Sequence, residues 1–173
     1  ADGPQKELRS VTMLWPNVEQ YLLQSDLVKT GTIDDMVALK GKGMAMGKKN
    51  SGTLGSNFAL LGNLGVTIDK DYELFYAGYG PSDDAVQDGK VVGGGFTGGP
   101  PTGAVTKMFA AMGDKISFLE FTPEQAKKAD GGMELWTPYV IAADTYPGQS
   151  KPLNTIAQPN FLSVRSDVPE EDV

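Results

Sequence analysis

Hydrophobic and polar positions follow two different periods along this chain, and these periods predict strands and helices in turn. Short apolar or alternating runs predict strands at residues 11–15, 19–24, 43–47, 72–78, 90–96, 115–121, 137–145 and 161–165. Apolar residues spaced three and four apart predict helices at residues 33–39, 53–64, 82–88, 101–112 and 123–130. The middle of the chain therefore alternates strand and helix, whereas the part from residue 137 onward has strands and prolines but no predicted helix.

Polar residues at the helix starts sharpen these predictions. Thr122 precedes Pro123 and stands three residues before Gln125, which is the spacing of a capping box. Ser82 is the predicted N-cap of another helix. In the helix at 53–64, the side chains predicted to pack on the sheet are those of Leu54, Phe58 and Leu61.

The alternation of strand and helix predicts the fold class. Parallel strands need crossover connections, which are usually helices, and such helices cover both faces of the sheet. The sequence therefore predicts an α/β fold, a three-layer α/β/α sandwich. With 173 residues, the chain is long enough for one domain or for one lobe of a larger protein.

Composition and charge exclude several classes of function. The net charge of −7 disfavours a nucleic-acid partner, because binding to phosphates needs a basic surface. The chain has no cysteine and no histidine, which removes disulfides, thiol nucleophiles and histidine-based triads. Nearly all acidic residues are expected at helix starts or in loops, as solvated caps. The adjacent pairs Asp34–Asp35 and Asp83–Asp84 are not expected to share a face. The sequence thus predicts no catalytic residue, no metal site and no cofactor.

The segment "GKKNSGT" at residues 47–53 lies between a predicted strand and a predicted helix. It does not match the phosphate loop G-x-x-x-x-G-K-[ST], because Lys48 is followed by a second lysine. A helix start still presents unpaired N–H groups and a positive dipole end, which suit a carboxylate or phosphate. The candidate ligand-binding residues are Asn50, Ser51, Gly52 and Thr53. The alternative is that Asn50 or Ser51 only caps the helix.

The segment "GGGFTGGPPTGAV" at residues 93–105 repeats this arrangement. Thr97 and Thr102 offer hydroxyl donors, and glycines at 98 and 99 allow the backbone to approach a ligand closely. The plain alternative is a tight connection in which the glycines only relieve backbone strain. Both loops follow strands of one predicted parallel sheet, so both are expected at the same sheet edge, where α/β proteins bind ligands.

Two other loops carry tyrosines. Tyr79 is a candidate wall residue of the same site, although such tyrosines often only pack with a solvated hydroxyl. Residues 146–149, Tyr-Pro-Gly-Gln, are interpreted as a plain β-turn with proline at its second position.

Three segments together resemble one known family. They are "ALKGKGMAMGKKNSGT", "AVQDGKVVGGGFTGGPPTGAV" and "ADTYPGQSKPLNTIAQPNFLSVRSDVPEEDV". In this order they resemble the TAXI-family solute-binding receptors of TRAP transporters, and the likeness runs through residues 9–173. The resemblance implies a two-lobed type II periplasmic-binding-protein (Venus flytrap) fold outside the cytoplasmic membrane. It also implies capture of glutamate or a related organic acid for delivery to a membrane permease.

The resemblance assigns roles to two turns and divides the chain. Residues 51–53 match one ligand-facing loop of the family, and the turn of Thr97, Gly98 and Pro100 matches a second. Residues 1–30 correspond to entry strands, 31–153 to the second lobe, and 154–173 to a return strand and the start of a truncated C-terminal segment. The family's N-terminal segment has no counterpart here, so the resemblance implies a fragment of the receptor.

The chain also departs from the family pattern, and this affects what is expected of it. Where the family usually has Ile-Asp-Ala, the chain has Val92-Gly93-Gly94, so an acidic side chain is lost near the site. As a single lobe, the chain is expected to bind ligand weakly and to dimerise through strand edges in residues 9–24 or 160–166. The alternative functions are the ligand-sensing domain of a transcriptional regulator and an enzyme on the same fold. The absence of histidine and cysteine disfavours the enzyme.

Overall fold

The computed structural model describes residues 5–172, which form a sheet covered by helices. The strands are β1 (Leu8–Gln24), β2 (Lys42–Ala45), β3 (Tyr72–Phe75), β4 (Gly93–Gly98), β5 (Ile116–Leu119), β6 (Thr137–Ile141) and β7 (Leu153–Arg165). The α-helices are α1 (Ile33–Ala38), α2 (Gly52–Leu64), α3 (Ile68–Asp71), α4 (Tyr79–Gln87), α5 (Gly103–Met112) and α6 (Pro123–Asp130). Short 3₁₀ helices are Ser25–Leu27, Gly113–Lys115 and Glu170–Asp172.

The sheet has both parallel and antiparallel strands. Its order is β3-β2-β4-β1-β7-β6, and β5 pairs with β1. The prediction of parallel strands holds for β2, β3 and β4, which pair in parallel and are joined by helical crossovers. Strand β1, which precedes the alternating part of the chain, runs antiparallel to β4, β5 and β7. Its direction makes the sheet a mixed one.

Helices cover both faces of the sheet, so the predicted α/β/α sandwich is confirmed. Alternate residues of β1 divide between two cores because successive side chains of a strand point to opposite faces. Tyr21 and Leu23 join the core under α1, α2 and α6. Leu22 joins the core under α4 and α5, together with Val86 and Met108.

Helix boundaries and faces agree with the sequence in some helices and differ in others. The capping box at α6 is confirmed, because Thr122 accepts the Gln125 N–H and Gln125 accepts the Thr122 N–H. The prediction for Phe58 is wrong, because its side chain is 40% exposed. The buried face of α2 is instead formed by Asn57, Leu60, Leu61 and Leu64. Helix α4 begins before the predicted cap Ser82, which is buried inside the helix.

The strands predicted at 11–15 and 19–24 form one continuous strand, β1. Its second half lies between β4 and β5, so residues 19–24 are not the unpaired edge that the sequence suggested. Its first half pairs with β7 to form a two-stranded ribbon of residues 8–17 and 158–165. The ribbon exposes large apolar side chains, including those of Met13, Trp15 and Phe161.

The helix start predicted at the C-terminal end is a 3₁₀ turn at Glu170–Asp172, and Val173 lies outside the described residues. Within the described part of the chain, every helix is too short or too polar to cross a membrane.

Candidate functional site

Three loops meet at one edge of the sheet because β2, β3 and β4 run parallel. The loop after β2 begins near residue 46 and is called the first loop, and the loop after β4 begins near residue 99 and is called the second loop. Between the first loop and the loop that follows β3 near residue 76 lies an open cleft of about 220 Å³. It is lined by Gly47, Lys48, Ser51, Thr53, Ala77, Gly78 and Tyr79. The structure therefore brings Ser51, Thr53 and Tyr79, three of the predicted site residues, around one cavity.

The start of α2 combines a helix cap with free backbone donors. Ser51 is the N-cap, and its Oγ accepts the Leu54 N–H at 3.2 Å, so the capping role that the sequence left open is real. The N–H groups of Gly52 and Thr53 stand in the first turn, where the helix has no carbonyl four residues earlier to accept them. Gly52 is exposed, and Ser51 and Thr53 are half-buried. A cap and an anion site can therefore coexist here.

The turn before α2 has a backbone that few residues can adopt. Gly47 has φ +105°, and a Cβ there would lie 3.0 Å from the Leu54 nitrogen and 3.1 Å from Ser51 Oγ. Asn50 has φ +61° and is exposed. A Cβ at Gly52, by contrast, would meet no atom of the protein within 4 Å.

Positive charge gathers on this side of the cleft. Lys48 lines the cavity, and Lys49 Nζ lies 5.0 Å from the centre of the Tyr76 ring. The positive end of the α2 dipole points in the same direction. Lys48 and the helix start thus place positive charge beside the cleft, although the net charge of the chain is −7.

The Tyr79 hydroxyl joins the first and second loops. It donates to the Thr97 carbonyl at 2.5 Å, accepts the Thr97 N–H at 3.0 Å and lies 2.7 Å from Thr53 Oγ1. Strand β2 pairs with β4 only at Gly93 and Gly94, so the groups of Thr97 that face that side have no strand beside them. Tyr79 takes the place of the missing strand and fixes Thr97 relative to Thr53.

The second loop is also held by the side chains of Gln20 and Tyr146. Gln20 Nε2 donates to the Gly98 carbonyl at 3.1 Å and to Thr102 Oγ1 at 2.8 Å. Tyr146 accepts the Thr102 N–H at 3.1 Å and donates to Gln20. Gly98 and Pro100 are half-buried, and the peptide bond that follows Pro100 is cis. Helix α5 begins at 103, after its N-cap Thr102, rather than at the predicted residue 101.

The glycines of β4 are needed for close packing. A Cβ on Gly93, Gly94 or Gly95 would lie 2.2–2.3 Å from an atom of Leu22, Ala45 or Asn57. Asn57, buried on α2, occupies the space beside Gly95 and donates to the Met46 carbonyl at 3.1 Å. Gly93 and Gly94, which stand where the TAXI pattern has Asp-Ala, therefore have no room for a side chain in this sheet.

Glu19 is a buried carboxyl group one hydrogen bond away from the second loop. Its Oε2 accepts the Thr97 hydroxyl at 2.7 Å, and its Oε1 accepts the Trp136 indole N–H at 3.0 Å. Burial raises the pKa of Glu19 from 4.5 to about 7, and the hydrogen bonds from Thr97 and Trp136 act in the opposite direction.

The expectation that acidic residues are solvated caps is wrong at four positions. The buried acidic residues are Glu19, Asp35, Asp83 and Asp130.

Asp83 and Asp84 form ion pairs with the same lysine. Lys107 Nζ lies 3.1 Å from the carboxylate of Asp83 and 2.6 Å from that of Asp84. Helix α5 places that lysine against α4, which no local pattern could indicate. Within residues 5–172, no group of three acidic residues is arranged to hold a metal ion.

Sequence reasoning missed Glu19, Gln20 and Tyr146. A signal for the first two was present, because a Glu-Gln pair directly precedes the apolar run Tyr-Leu-Leu of a predicted strand. The predicted β-turn at Tyr146 is confirmed by a hydrogen bond from the Gln149 N–H to the Tyr146 carbonyl at 3.1 Å. Its ring, however, is buried and supports the second loop.

Three of the solved structures to which this chain is similar are of proteins named for the ligands that they bind. The alkanesulfonate-binding protein SsuA from Xanthomonas axonopodis pv. citri is 18% identical, with a TM-score of 0.44 over 65% of this chain and 36% of that protein. The periplasmic aliphatic sulphonate binding protein SsuA from Escherichia coli is 16% identical, with a TM-score of 0.49 over 88% of this chain and 41% of that protein. Truncated, arginine-bound ArgBP from T. maritima is 12% identical, with a TM-score of 0.45 over 96% of this chain and 54% of that protein.

The chain thus spans between about a third and about half of the length of these three proteins. The sequence model of one protein family matches residues 1–173, the whole of the chain. The chain belongs to the NMT1-like family.

Proposed function

We propose that this chain is the ligand-binding lobe of an extracytoplasmic, periplasmic solute receptor. It captures a small carboxylate, such as glutamate or a related organic acid, and a TRAP membrane permease receives the ligand. The observation that carries the proposal is the exposed start of α2, where the N–H groups of Gly52 and Thr53 have no helical acceptor and the Lys48 side chain borders the cleft. The resemblance to TAXI-family receptors supports the choice of ligand and permease.

Binding without turnover suits the groups in the cleft. Backbone N–H groups, hydroxyls and an ammonium group hold an anion by hydrogen bonds and charge. The sequence has neither histidine nor cysteine to place beside them. The proposed site residues are Asn50, Ser51, Gly52, Thr53, Tyr79, Thr97, Gly98 and Pro100.

A single wall of donors predicts weak binding by this chain alone. Hydrogen bonds of this kind contribute roughly 0.5–1.5 kcal/mol net each, and association costs at least about 4 kcal/mol. Four donors leave at most roughly 2 kcal/mol after that cost, which corresponds to dissociation constants of tens of millimolar or weaker. Detection therefore requires a method that works at tens of millimolar ligand.

Amide NMR spectroscopy tests the site with glutarate, a simple dicarboxylate. We expect glutarate at tens of millimolar to shift the amide signals of Gly52 and Thr53, and the neutral diamide glutaramide at the same concentration to leave them in place. Sodium chloride at matched ionic strength controls for screening. Glutarate shifts confined to other surfaces would contradict the proposed site.

The chain offers a matched pair of variants at Gly52. Proline fits the first position of a helix and replaces the N–H with a ring carbon, and the extended backbone of Ser51 (φ −96°, ψ 153°) is what a residue before proline requires. Gly52→Pro should abolish the glutarate shift at Thr53, whereas Gly52→Ala, which keeps the N–H, should preserve it. Equal binding by both variants would exclude the Gly52 N–H as a donor.

The exposed ribbon supports the expectation of self-association. Met13 is 61% exposed and Phe161 is 51% exposed, and they are paired residues on β1 and β7. We propose that two copies of the chain associate through this surface. Sedimentation of the protein should show a dimer, and Met13→Lys with Phe161→Lys should yield a monomer. A monomeric parent chain at high concentration would contradict this proposal.

A further inference from the structure

The Thr97 hydroxyl is tied to a buried acid, and this restricts what it can offer to a ligand. Thr97 Oγ1 lies 2.7 Å from Glu19 Oε2, and Thr97 is only half-buried, whereas Glu19 is 1% exposed. An ionised carboxylate can only accept hydrogen bonds. While Glu19 is ionised, the single proton of the Thr97 hydroxyl therefore points inward, and its oxygen can only accept from a ligand.

Trp136 determines which oxygen of Glu19 can carry a proton. The indole N–H is a donor only, and it donates to Glu19 Oε1 at 3.0 Å. The indole is itself held in place, because the Trp136 backbone N–H donates to Asp130 Oδ1 at 2.9 Å. A proton added to Glu19 must therefore sit on Oε2, facing Thr97. That O–H then donates to Thr97 Oγ1 and releases the Thr97 proton to point toward the loop.

We propose that Glu19 is a specificity-determining residue that makes carboxylate binding at this site proton-linked. The protonated form allows the Thr97 hydroxyl to donate to the anion, and the ionised form turns the hydroxyl into an acceptor that disfavours the anion. Where Glu19 is ionised before the anion binds, one proton is taken up from solvent for each anion that uses the Thr97 hydroxyl. This inference rests on the proposed function, because it takes Thr97 as a ligand contact.

The surroundings of Glu19 favour a change of charge near neutral pH. Strand β4 presents Thr97, the segment before β6 presents Trp136, and Thr155 on β7 donates to the Glu19 backbone carbonyl at 2.5 Å. The titratable neighbour on the same strand is Tyr21, whose pKa is raised by burial and by the charge of Glu19. No lysine or arginine among residues 5–172 forms an ion pair with Glu19. The effect of burial on the pKa of Glu19 is therefore not offset by an ion pair with a cation.

The first measurement needs no ligand. The indole N–H signal of Trp136 should move with pH as its acceptor gains a proton, with a midpoint between about pH 6 and 8. The chain has two tryptophans, and Trp15→Phe serves only to assign the two indole signals. The shift should vanish in Glu19→Gln. A Trp136 signal that stays constant across this range would overturn the proposal.

The second measurement is the dissociation constant of glutarate between pH 6.5 and 8.5, followed by amide NMR signals. Affinity of the parent chain should fall about tenfold over this range, since one linked proton allows at most about tenfold per pH unit. In Glu19→Gln, the amide can accept from Trp136 and donate to Thr97, as the protonated acid does. This variant should bind equally at both pH values and more tightly than the parent at pH 8.5.

Two further comparisons separate the proposal from simpler explanations. Thr97→Val should lose the pH dependence and Thr97→Ser should keep it, because only serine retains the hydroxyl. If Glu19→Gln shows the same pH dependence as the parent, glutarate or another group is titrating and the inference is wrong, while the proposed function stands. If glutarate shifts no signal at either pH, the proposed function fails, and the linkage fails with it even when Trp136 titrates as expected.

Discussion

Removal of the Tyr79 hydroxyl tests whether this single group joins the two loops of the candidate site. Tyr79→Phe keeps the ring, which packs at 5.6 Å from the Phe96 ring, and removes only the oxygen. Three groups lose a partner: the Thr97 N–H, the Thr97 carbonyl and Thr53 Oγ1. All three belong to half-buried residues, so water can replace part of what is lost.

The expected loss follows from these contacts. A buried group left without its partner costs about 1–3 kcal/mol, and a half-buried hydroxyl that regains water costs less. We therefore expect Tyr79→Phe to lower the free energy of unfolding by about 1–3 kcal/mol. For a chain of this size that corresponds to a melting temperature lower by roughly 2–12 °C. Urea denaturation and a thermal scan measure the two quantities.

Tyr76→Phe is the matched control. Tyr76 lies in the loop that leads to α4, is 42% exposed, and its hydroxyl makes no hydrogen bond to residues 5–172 in the structure. Loss of the Tyr76 hydroxyl should lower the free energy of unfolding by less than about 0.5 kcal/mol. Amide exchange at Thr97 gives a local readout, because its N–H loses its acceptor only in Tyr79→Phe. Equal stability of the two variants, with unchanged exchange at Thr97, would refute the role assigned to Tyr79.

Two more predictions concern the core and the buried acid. Leu61→Ala should lower the free energy of unfolding by about 2–5 kcal/mol because Leu61 is fully buried. Phe58→Ala, at an exposed position on the same helix, should lower it by less than about 1 kcal/mol. Urea denaturation measures both losses, and a larger loss for Phe58→Ala would mean that α2 turns a different face toward the core. For Glu19, the folded-state pKa is about 7 and the ordinary value is 4.5. The protonated form is thus favoured by folding, so this stabilisation is complete below about pH 4.5 and is lost as pH rises through about 7. Each pKa unit corresponds to 1.36 kcal/mol, so stability of the parent relative to Glu19→Gln should fall by roughly 3 kcal/mol between pH 4.5 and 8. A constant difference between the two proteins would show that folding does not raise the pKa of Glu19.

The sequence by itself determined the local features of the molecule. A helix cap depends on residues within one turn, so the spacing of Thr122 and Gln125 alone was enough to assign them to a capping box. The alternation of strand and helix was sufficient to place the loops after β2, β3 and β4 at one sheet edge, because parallel strands end on the same side. The candidate residues Ser51, Thr53 and Tyr79 could be named for the same reason.

Contacts between residues far apart in the chain were decided only by the tertiary structure. The bond from Glu19 to Trp136 spans 117 positions and that from Glu19 to Thr97 spans 78, so no local pattern encodes them. The rotation of α2, which buries Asn57 rather than Phe58, depends on the glycines of β4 that make room for the amide. Burial and the pKa of an acid are properties of the packed surroundings. For that reason the sequence predicted a solvated position for Glu19, whereas the structure buries it beneath the candidate site.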